Sequence, residues 1–426
     1  MKATLWHLCA VCVALLLLAS CGSYTPVAVS DNFAYLYGKG AAAMRLQARV
    51  YHASEQRSVI YFKLHTADLL YKSSGGGGPF RAQVLIKYEA YPSLDSRQLL
   101  DSASTYVKDQ SESATEDKDI IGSMDMKRND RRSFVVRLVA RDLNRDVESV
   151  VMLHVEKGSP GGRQDFLPVN ERGIPLFDDE VRPGTAIKVR CEQHAGEVLQ
   201  GSHYPAVDKL PAPVFAETPA PLPADKPDST FTLQVPEDGA FNFTAGASGF
   251  YHLRPDTAAT SGYTLFVLKD CFPEINTSAD MVPPLRYITS LQEWERITGA
   301  TDRRKEVERF WLDASGDRER AREAIAAYYG RVQSANRHFT SFVEGWKTDR
   351  GLVHIIFGTP STIRKNESGE TWIYGEETNL MSLTFSFVRR DEPFSDNDLV
   401  LRRDPQLKSA WYRNVESWRN GRIMQY

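Results

Sequence analysis

The chain contains 426 residues, of which 42% are hydrophobic and 25% are charged, and its formal net charge at pH 7 is −3. This composition is typical of a globular protein and excludes wholesale disorder. Basic residues form no cluster, so nucleic acid is not expected as a partner. The length predicts two to four domains.

The N-terminal segment MKATLWHLCAVCVALLLLASCGSY is typical of an export signal. Lys2 precedes an apolar run that ends at Leu18 and is too short for a comfortable membrane span. The four residues up to Cys21 resemble the lipobox of bacterial lipoproteins, which implies that Cys21 carries two acyl chains. Residues 1–20 are then a signal peptide and residues 21–31 a tether. An ordinary signal peptide and a single transmembrane anchor are the alternatives.

Residues 32–157 are expected to form a first β-sandwich. Apolar and polar side chains alternate with a period of two, which places each apolar set on one face of a sheet, in Ile60–Leu64, Phe80–Tyr88 and Phe134–Leu138. Ser149–Lys157 is a further apolar run of strand length. The polar stretch Lys108–Asp119 is interpreted as a solvated insertion. Several strands without a helical period are typical of a sandwich.

Residues 158–274 are expected to form a second, smaller β-sandwich, because five further strand-like runs occur there. Between them lies Leu210–Pro227, LPAPVFAETPAPLPADKP, which we call the Pro-rich segment. Proline cannot donate a hydrogen bond to a β-ladder, so this segment cannot be a central strand. It is expected to be an extended edge crossing or a loop.

Two cysteines remain once the signal peptide is removed and Cys21 is lipidated: Cys191 and Cys271. Disulfides persist outside the cytoplasm, so these two are predicted to pair. Cys191 and His194 have a C-x-x-H spacing that could supply half of a zinc site, but no second pair of ligands is evident. Neither a metal nor a cofactor is expected.

Residues 290–342 are predicted to be helical. Ser290 and Glu293 have the spacing of a capping box, and a second short helix follows around Trp311. The longest helix is predicted from Asp317 to Phe342, because apolar side chains recur there at steps of three and four. Strands are predicted within residues 351–402, the first of them LVHIIFG, and an aromatic-rich helix or coil ends the chain.

The stretch GWKTDRGLVHIIFGTP, residues 345–360, carries the strongest local pattern. Asp349 as a general acid or base would need a partner within hydrogen-bonding distance, and His354 on an extended strand would lie too far away. We interpret Asp349 instead as a turn residue that accepts bonds from nearby backbone or from Arg350. Trp346 is expected to be buried against Val332, Ala335 and Phe339.

The same stretch resembles the GWxTD-domain family of bacterial envelope lipoproteins, found mainly in Bacteroidota. The similarity covers about residues 285–423 and includes Phe310-Trp311, the run from Tyr328 to Thr340 and the closing WRNGRI. LDASGD stands where many members carry a DPTP-like segment, which suggests a subgroup. The family signature, interpreted as structural, comprises Gly345, Trp346, Thr348, Asp349, Arg350, Gly351, Gly358, Pro360, Trp372 and Tyr374.

The expected fold is multidomain, with tandem all-β sandwiches followed by a helical segment and a small α+β C-terminal domain at residues 285–423. The resemblance implies export and no established activity. The expected function is that of a non-catalytic scaffold or adaptor in an outer-membrane assembly or secretion complex. Its partners would be the membrane, through the lipid anchor, and other envelope proteins. Gly22 to Tyr24 contain no acidic cluster, so the periplasmic face is expected.

Two other functions stay open from the sequence. A carbohydrate- or peptide-binding module could use aromatic side chains, namely Trp346, Trp372, Tyr374, Trp411 and Trp418, although such residues are more often part of a core. A hydrolase that uses Asp349 is the second alternative.

Overall fold

The protein is described by a computed structural model that covers residues 32–37, 44–73, 75, 78–113, 115, 117–127, 132–158, 161–269 and 271–423. Within these residues the strands form five sheets, none of which closes on itself, and helices occur mainly between residues 278 and 357. No helix in this part of the chain combines the length and the apolar character that crossing a membrane requires. The multidomain prediction, with two sandwiches, a helical segment and a C-terminal α+β region, is confirmed.

The first sandwich consists of two sheets that share one buried core. The smaller sheet has the order β1 (Leu46–His52), β2 (Ser58–His65) and β6 (Asp119–Met126). The larger contains β3 (Lys72–Ser73), β4 (Phe80–Tyr91), β5 (Asp101–Ser111), β7 (Phe134–Asp142) and β8 (Val147–Val155). The period of two is visible in β4, where Ala82, Val84 and Ile86 are buried and alternate with more exposed residues.

The predicted insertion from Lys108 onward is wrong for its first residues, because β5 continues to Ser111. This strand pairs with β4 over its whole length, from Ala90 opposite Asp101 to Phe80 opposite Ser111. Apart from Tyr106, its most exposed side chains are polar: Ser104, Lys108 and Gln110, as expected for a strand at the edge of a sheet. The polar side chains of these residues predicted a loop, although their backbone forms a β-strand.

The second sandwich also consists of two sheets. The smaller is formed by β9 (Leu167–Val169), β11 (Ala186–Arg190) and β14 (Ala240–Thr244). The larger contains β10 (Glu180–Val181), β12 (Val198–Pro205), β13 (Ser229–Gln234), β15 (Gly249–Arg254) and β16 (Tyr263–Val267). The Pro-rich segment connects β12 to β13 and contains no strand, so it is a loop.

The helical segment begins with α1 (Ser278–Met281) and continues with α2 (Leu291–Gly299), α3 (Arg303–Ser315) and α4 (Arg318–Phe339). The predicted capping box is confirmed, since the Ser290 side chain accepts from Glu293 N–H while the Glu293 carboxylate accepts from Ser290 N–H. The Asp317 carboxylate caps α4 by accepting two backbone N–H bonds. These side chains satisfy the free N–H groups of each first helical turn.

Residues 349–357 form a helix, α5 (Asp349–Phe357), so the predicted strand LVHIIFG is wrong. All nine residues are buried, which removes the alternation that distinguishes a helix from a strand. Thr348 is the N-cap, and its side chain accepts from Gly351 N–H at 3.0 Å. Gly358, with φ of 87°, ends the helix in a conformation that favours glycine.

The C-terminal sheet has the order β17 (Thr362–Asn366), β18 (Gly369–Tyr374), β19 (Leu383–Arg389) and β20 (Leu399–Leu401), and α6 (Lys408–Arg419) follows it. One buried core joins this sheet to the helices, and it includes Trp311, Tyr328, Trp372 and Trp418. The described residues from Phe33 onward belong to one compact unit.

The predicted disulfide between Cys191 and Cys271 is wrong, because both residues are free thiols in the structure. Cys191 is fully buried in the core of the second sandwich, directly after β11. Cys271 lies after β16, where its thiol donates to the Asp280 carboxylate at 3.2 Å. The two sulfur atoms therefore have different, separate surroundings.

Candidate functional site

The first half of the signature forms a short 3-10 helix, Gly345–Lys347, between α4 and α5. Trp346 is 4% exposed and belongs to the same core as Val332, Ala335 and Phe339, so its predicted burial is confirmed. Its backbone N–H donates to Asn336 Oδ1 at 3.2 Å, and its carbonyl accepts from the Tyr287 hydroxyl at 2.8 Å. Both its ring and its backbone are therefore fixed.

Two signature glycines permit backbones to approach closely. A Cβ atom on Gly345 would lie 1.9 Å from the carbonyl oxygen of Ala335 in α4. A Cβ atom on Gly351 would lie 1.9 Å from the carbonyl oxygen of Gly345. No real Cβ atom tolerates such distances to backbone, so these positions require glycine because of space rather than φ.

Asp349 is buried in the first turn of α5, with 4% of its surface exposed. Its Oδ2 accepts from Leu401 N–H at 2.8 Å, and the Arg403 guanidinium donates to both carboxylate oxygens, at 2.6 and 3.1 Å. The expected backbone bond is thus present. The charged partner is Arg403 and not Arg350, so this part of the prediction is wrong. Residues 349–357 form a helix, and adjacent side chains of a helix do not face each other.

The bond from Leu401 covers the outer edge of β20. Arg402 N–H donates to Ser386 O on β19, and neighbouring N–H groups of a strand point in opposite directions. Leu401 N–H therefore points away from the sheet, where the Asp349 carboxylate accepts it. An edge amide that is satisfied in this way cannot pair with a further strand.

Arg350 is 2% exposed and lies at the centre of a second buried ion pair. Its Nη1 donates to Glu370 Oε1 at 3.1 Å, and its Nη2 donates to the carbonyl of Asn397 at 2.8 Å. Lys365 Nζ lies 3.0 Å from the same carboxylate, and Trp372 Nε1 donates to Glu370 Oε2 at 2.8 Å. Two cations therefore face one buried carboxylate.

The pKa of Glu370 reflects these neighbours. Burial alone would raise the pKa of this carboxyl, but the positive charges of Arg350 and Lys365 and the hydrogen bonds from Trp372 and Lys365 lower it to about 2. Glu370 is therefore ionised at neutral pH. It acts as the fixed anion around which the donors are arranged.

The N-terminal residues of the described chain contact this same cluster. The Tyr37 hydroxyl donates to Glu370 Oε1 at 3.1 Å and accepts from Lys365 Nζ at 2.5 Å. Phe33 is buried in the C-terminal core, and its N–H donates to the carbonyl of Ile363 in β17 at 2.8 Å. The chain thus docks on the C-terminal sheet before it forms the first sandwich.

The Pro-rich segment also docks on the C-terminal domain. Arg403 Nη2 donates to the carbonyl of Ala212 at 3.1 Å, and Asp404 N–H donates to the carbonyl of Val214 at 3.1 Å. Val214 is completely buried in the C-terminal core. Arg390 Nη1 donates to the carbonyl of Pro221 at 2.7 Å. Arg403 therefore connects the signature Asp349 to the second sandwich.

The other residues singled out in the sequence analysis also make contacts within the protein. The Tyr374 hydroxyl donates to the carbonyl of Gly358 at 2.7 Å, which ties β18 to the end of α5. His354 lies on α5, where its Nε2 contacts Ser334 Oγ at 3.1 Å. All five aromatics considered for a binding platform are buried, with 0 to 4% exposure: Trp346, Trp372, Tyr374, Trp411 and Trp418. Cys21 lies outside the described residues.

Among the cavities formed by the described residues, two lie at domain boundaries, and Asp349 borders neither of these two. The larger, of about 480 Å³, lies between the Pro-rich segment and β20 and is bordered by Leu222, Val400 and Arg403. The smaller, of about 280 Å³, is bordered by His154 and Arg389 among others. Within the described ranges, no group of three or more His, Cys, Asp or Glu side chains is arranged to hold a metal ion.

The sequence analysis did not predict which side chains pair with Asp349 and Arg350. Arg403 and Asn397 carry no motif, and Tyr37 lies more than 300 positions before Glu370. Glu370 itself lies two residues before the signature residue Trp372, which was the available signal for its importance.

Residues 249–420 match the family model of the GWxTD domain. The match begins at β15, so it includes the last two strands of the second sandwich and starts before the similarity that we placed at residues 285–423. No curated protein matches the chain.

Among solved structures, matches include a β-glucuronidase 2 of Bacteroides uniformis, with 11% identity over 32% of this chain and 15% of that chain, at a TM-score of 0.18. Red sea bream transglutaminase matches with 10% identity over 53% of this chain and 32% of that chain, at a TM-score of 0.18. The pilin subunit BcpA of Bacillus cereus matches with 10% identity over 53% of this chain and 64% of that chain, at a TM-score of 0.15. The aligned part spans less than two thirds of each of these proteins, and scores this low carry no argument about fold or function.

Proposed function

We propose that this chain, whose residues 249–420 match the family model of the GWxTD domain, is a non-catalytic envelope lipoprotein of that family. It acts as a scaffold or adaptor in an outer-membrane assembly or secretion complex. Cys21 carries the lipid anchor, the protein body faces the periplasm, and its partners are other envelope proteins.

The main support for this proposal comes from the contacts of the signature acid, Asp349. Asp349 has both oxygens occupied, by Arg403 and by the edge amide of Leu401, and it is 4% exposed. A general acid or base must reach a substrate proton, within hydrogen-bonding distance or through one water. The hydrogen bonds of the Asp349 carboxylate lead to other parts of the same chain, so this acid joins domains and does not act on a substrate.

Rigid connections between the domains support the scaffold role. Asp349, Arg403 and Ala212 form a continuous chain of bonds from α5 to the Pro-rich segment. Tyr37 and Glu370 connect the N-terminal residues to the C-terminal sheet. Relative motion of domains is the usual expectation when their interface is small and polar. Buried charged contacts on several sides give this protein a fixed arrangement of surfaces, which suits an adaptor.

A paired variant tests the proposal against a hydrolase. Asp349→Asn combined with Arg403→Gln removes both charges while retaining hydrogen-bonding groups, so no buried ion is left without its partner. In the bacterium that encodes the protein, this variant should restore envelope permeability to the wild-type level when it replaces the deleted gene. If the purified variant is folded but restores nothing, the charged pair has a role beyond stability and the proposal fails.

Anchoring and partners need separate measurements. Cys21→Ala should abolish incorporation of labelled palmitate and release the protein from membranes or leave it unprocessed. Photo-crosslinking from exposed sites such as Tyr412, followed by mass spectrometry, should recover the same envelope protein from wild type and from the paired variant. Protease digestion of the protein on intact cells would contradict the periplasmic orientation. Crosslinks only between copies of the chain would contradict an adaptor.

A peptide-binding module is the second candidate, and the larger cavity favours it. Leu222 and Val400 border that cavity together with Arg390 and Arg403. Such a lining suits a short apolar peptide with a carboxylate. Peptides of this type that protect Arg390 from modification by phenylglyoxal would support it. The buried aromatics offer no platform for a carbohydrate.

A further inference from the structure

The loop between β18 and β19 exposes two adjacent apolar side chains at its tip. Leu380 is 100% exposed and Met381 is 86% exposed. The loop is held by its own hydrogen bonds: Met381 N–H donates to Asn379 Oδ1 at 2.9 Å, and Ser382 Oγ donates to the carbonyl of Glu376 at 2.7 Å. Single exposed apolar residues are common on any protein. An adjacent pair on an ordered tip is a stronger feature.

The described chain begins beside this same loop. Phe33 N–H donates to the carbonyl of Ile363 at the start of β17. The next residue, Arg364, forms an ion pair of 2.9 Å with Glu377 in the loop, and Gly375 N–H donates to Ser361 Oγ at 3.1 Å. Phe33, where the chain enters the compact unit, and the apolar tip therefore lie at the same end of the C-terminal sheet.

The length of chain before Phe33 limits its distance from the anchor. Cys21 precedes Phe33 by 12 residues, which span at most about 40 Å when fully extended. If Cys21 carries lipid, as proposed above, this end of the C-terminal sheet cannot move farther than that from the membrane surface.

We propose that the tip formed by Leu380 and Met381 inserts into the lipid interface of the membrane that holds Cys21. This second contact rests on the proposed lipidation of Cys21. Apolar side chains of peripheral proteins enter the boundary between headgroups and acyl chains to a depth of about 5–10 Å. Glu377 remains paired with Arg364 at headgroup level. Lipid on Cys21 holds the protein at the membrane, and the tip fixes the orientation in which the C-terminal domain faces it.

The test uses a fluorescent label on the tip of the full-length, lipidated protein. Leu380→Cys is prepared in a Cys271→Ser background, where the remaining thiol, Cys191, is buried, and is labelled with the nitrobenzoxadiazole fluorophore. The matched control is Tyr106→Cys on β5, since Tyr106 is 61% exposed on the first sandwich. Both proteins are reconstituted into vesicles of phosphatidylethanolamine and phosphatidylglycerol, with and without doxyl-labelled lipid.

At position 380 we expect a blue shift of the emission maximum and quenching by the doxyl lipid, and at position 106 we expect neither. A vesicle-bound protein whose label at 380 is not quenched overturns the insertion and leaves the lipid anchor intact. A blue shift without quenching also overturns it, because the tip then contacts protein rather than lipid. Failure of the labelled protein to bind vesicles overturns the anchor, and the insertion with it.

Discussion

The Asp349 carboxylate lies 2.6 Å from the Arg403 guanidinium, although 54 residues separate them in the chain. Their side chains are 1% and 8% exposed, so the pair is buried. Asp349 also holds the edge amide of β20, and Arg403 also holds the Pro-rich segment. The signature acid thus organises a junction between two domains.

This pair predicts a double-mutant cycle in which the two losses of stability are not additive. Asp349→Asn alone should destabilise the protein by about 3–5 kcal/mol, because it leaves the buried Arg403 charge without its counter-ion. A simple turn acceptor at this position would predict a much smaller loss, as the sequence interpretation did. Arg403→Gln alone should be comparably costly. The double variant should recover about 1–3 kcal/mol relative to the sum, the range found for residues in direct contact.

Chemical denaturation of the four proteins measures this coupling. Arg304→Gln is the control, since its ion pair with Glu308 is exposed on α3 and should contribute little. Additive losses in the cycle would show that the pair is not coupled.

The second buried cluster predicts a pH dependence. The pKa of Glu370 is lowered to about 2 in the folded protein, against an ordinary value of 4.5. A depressed pKa stabilises the folded state at any pH above the unfolded pKa, and this contribution is lost as the pH falls from about 4.5 to about 2. Its size is on the order of 3 kcal/mol. Glu370→Gln should therefore be less stable than wild type at pH 7, with a gap that narrows on acidification.

Unfolding in denaturant at several values between pH 7 and pH 3 tests this dependence. Glu377→Gln is the matched control, because Glu377 forms an exposed ion pair with Arg364. Its stability should stay close to that of wild type across this pH range, because water screens an exposed ion pair. A difference between Glu370→Gln and wild type that stays constant with pH would rule out the assigned role of Glu370.

How much of the fold and of the candidate site could be predicted from the sequence depends on the kind of contact. Alternating strands such as β2 and β4, and the capping box of Ser290, are local patterns and were predicted. Helix α5 was missed because complete burial removes its period, although Thr348 before Asp349 and Gly358 after the apolar run are ordinary helix-end residues. The pairs Asp349–Arg403 and Tyr37–Glu370 join distant parts of the chain, and no single sequence specifies them. The disulfide was inferred from a count of cysteines, which carries no geometry.

Because another part of the backbone lies very close to Gly351, adding one methyl group there is expected to lower the stability of the protein strongly. Gly351→Ala would place Cβ 1.9 Å from the carbonyl oxygen of Gly345, and backbone cannot easily move away in a buried segment. We expect a loss of at least about 1–3 kcal/mol, the usual cost of overpacking. Gly299→Ala is the control, because nothing lies within 4 Å of its Cβ position at the end of α2. It should be neutral or slightly stabilising, and equal effects of the two changes on the melting temperature would contradict the argument.

The free thiols predict a distinct chemical reactivity. In the denatured, unreduced protein, both Cys191 and Cys271 should react with a thiol reagent. In the native protein Cys271 should react first, because Cys191 is fully buried and burial raises its pKa to about 12. Mass spectrometry of peptides after timed alkylation measures both rates. A crosslinked peptide containing Cys191 and Cys271 would show that the protein is oxidised after all.

Removal of the signature tryptophan should unfold the C-terminal domain. Trp346→Ala empties a site that is 4% exposed and lies in the largest core, so we expect a loss of about 3–5 kcal/mol. Trp294→Ala is the matched control, because the Trp294 ring is half-buried on α2, where Arg286 covers it at 5.9 Å. Its loss of stability should be clearly smaller, since the Trp294 side chain is only partly buried. Thermal denaturation monitored by near-ultraviolet circular dichroism compares the two variants. A Trp346→Ala protein as stable as wild type would mean that the signature tryptophan is retained for a contact outside this chain, which would favour a binding function over a structural one.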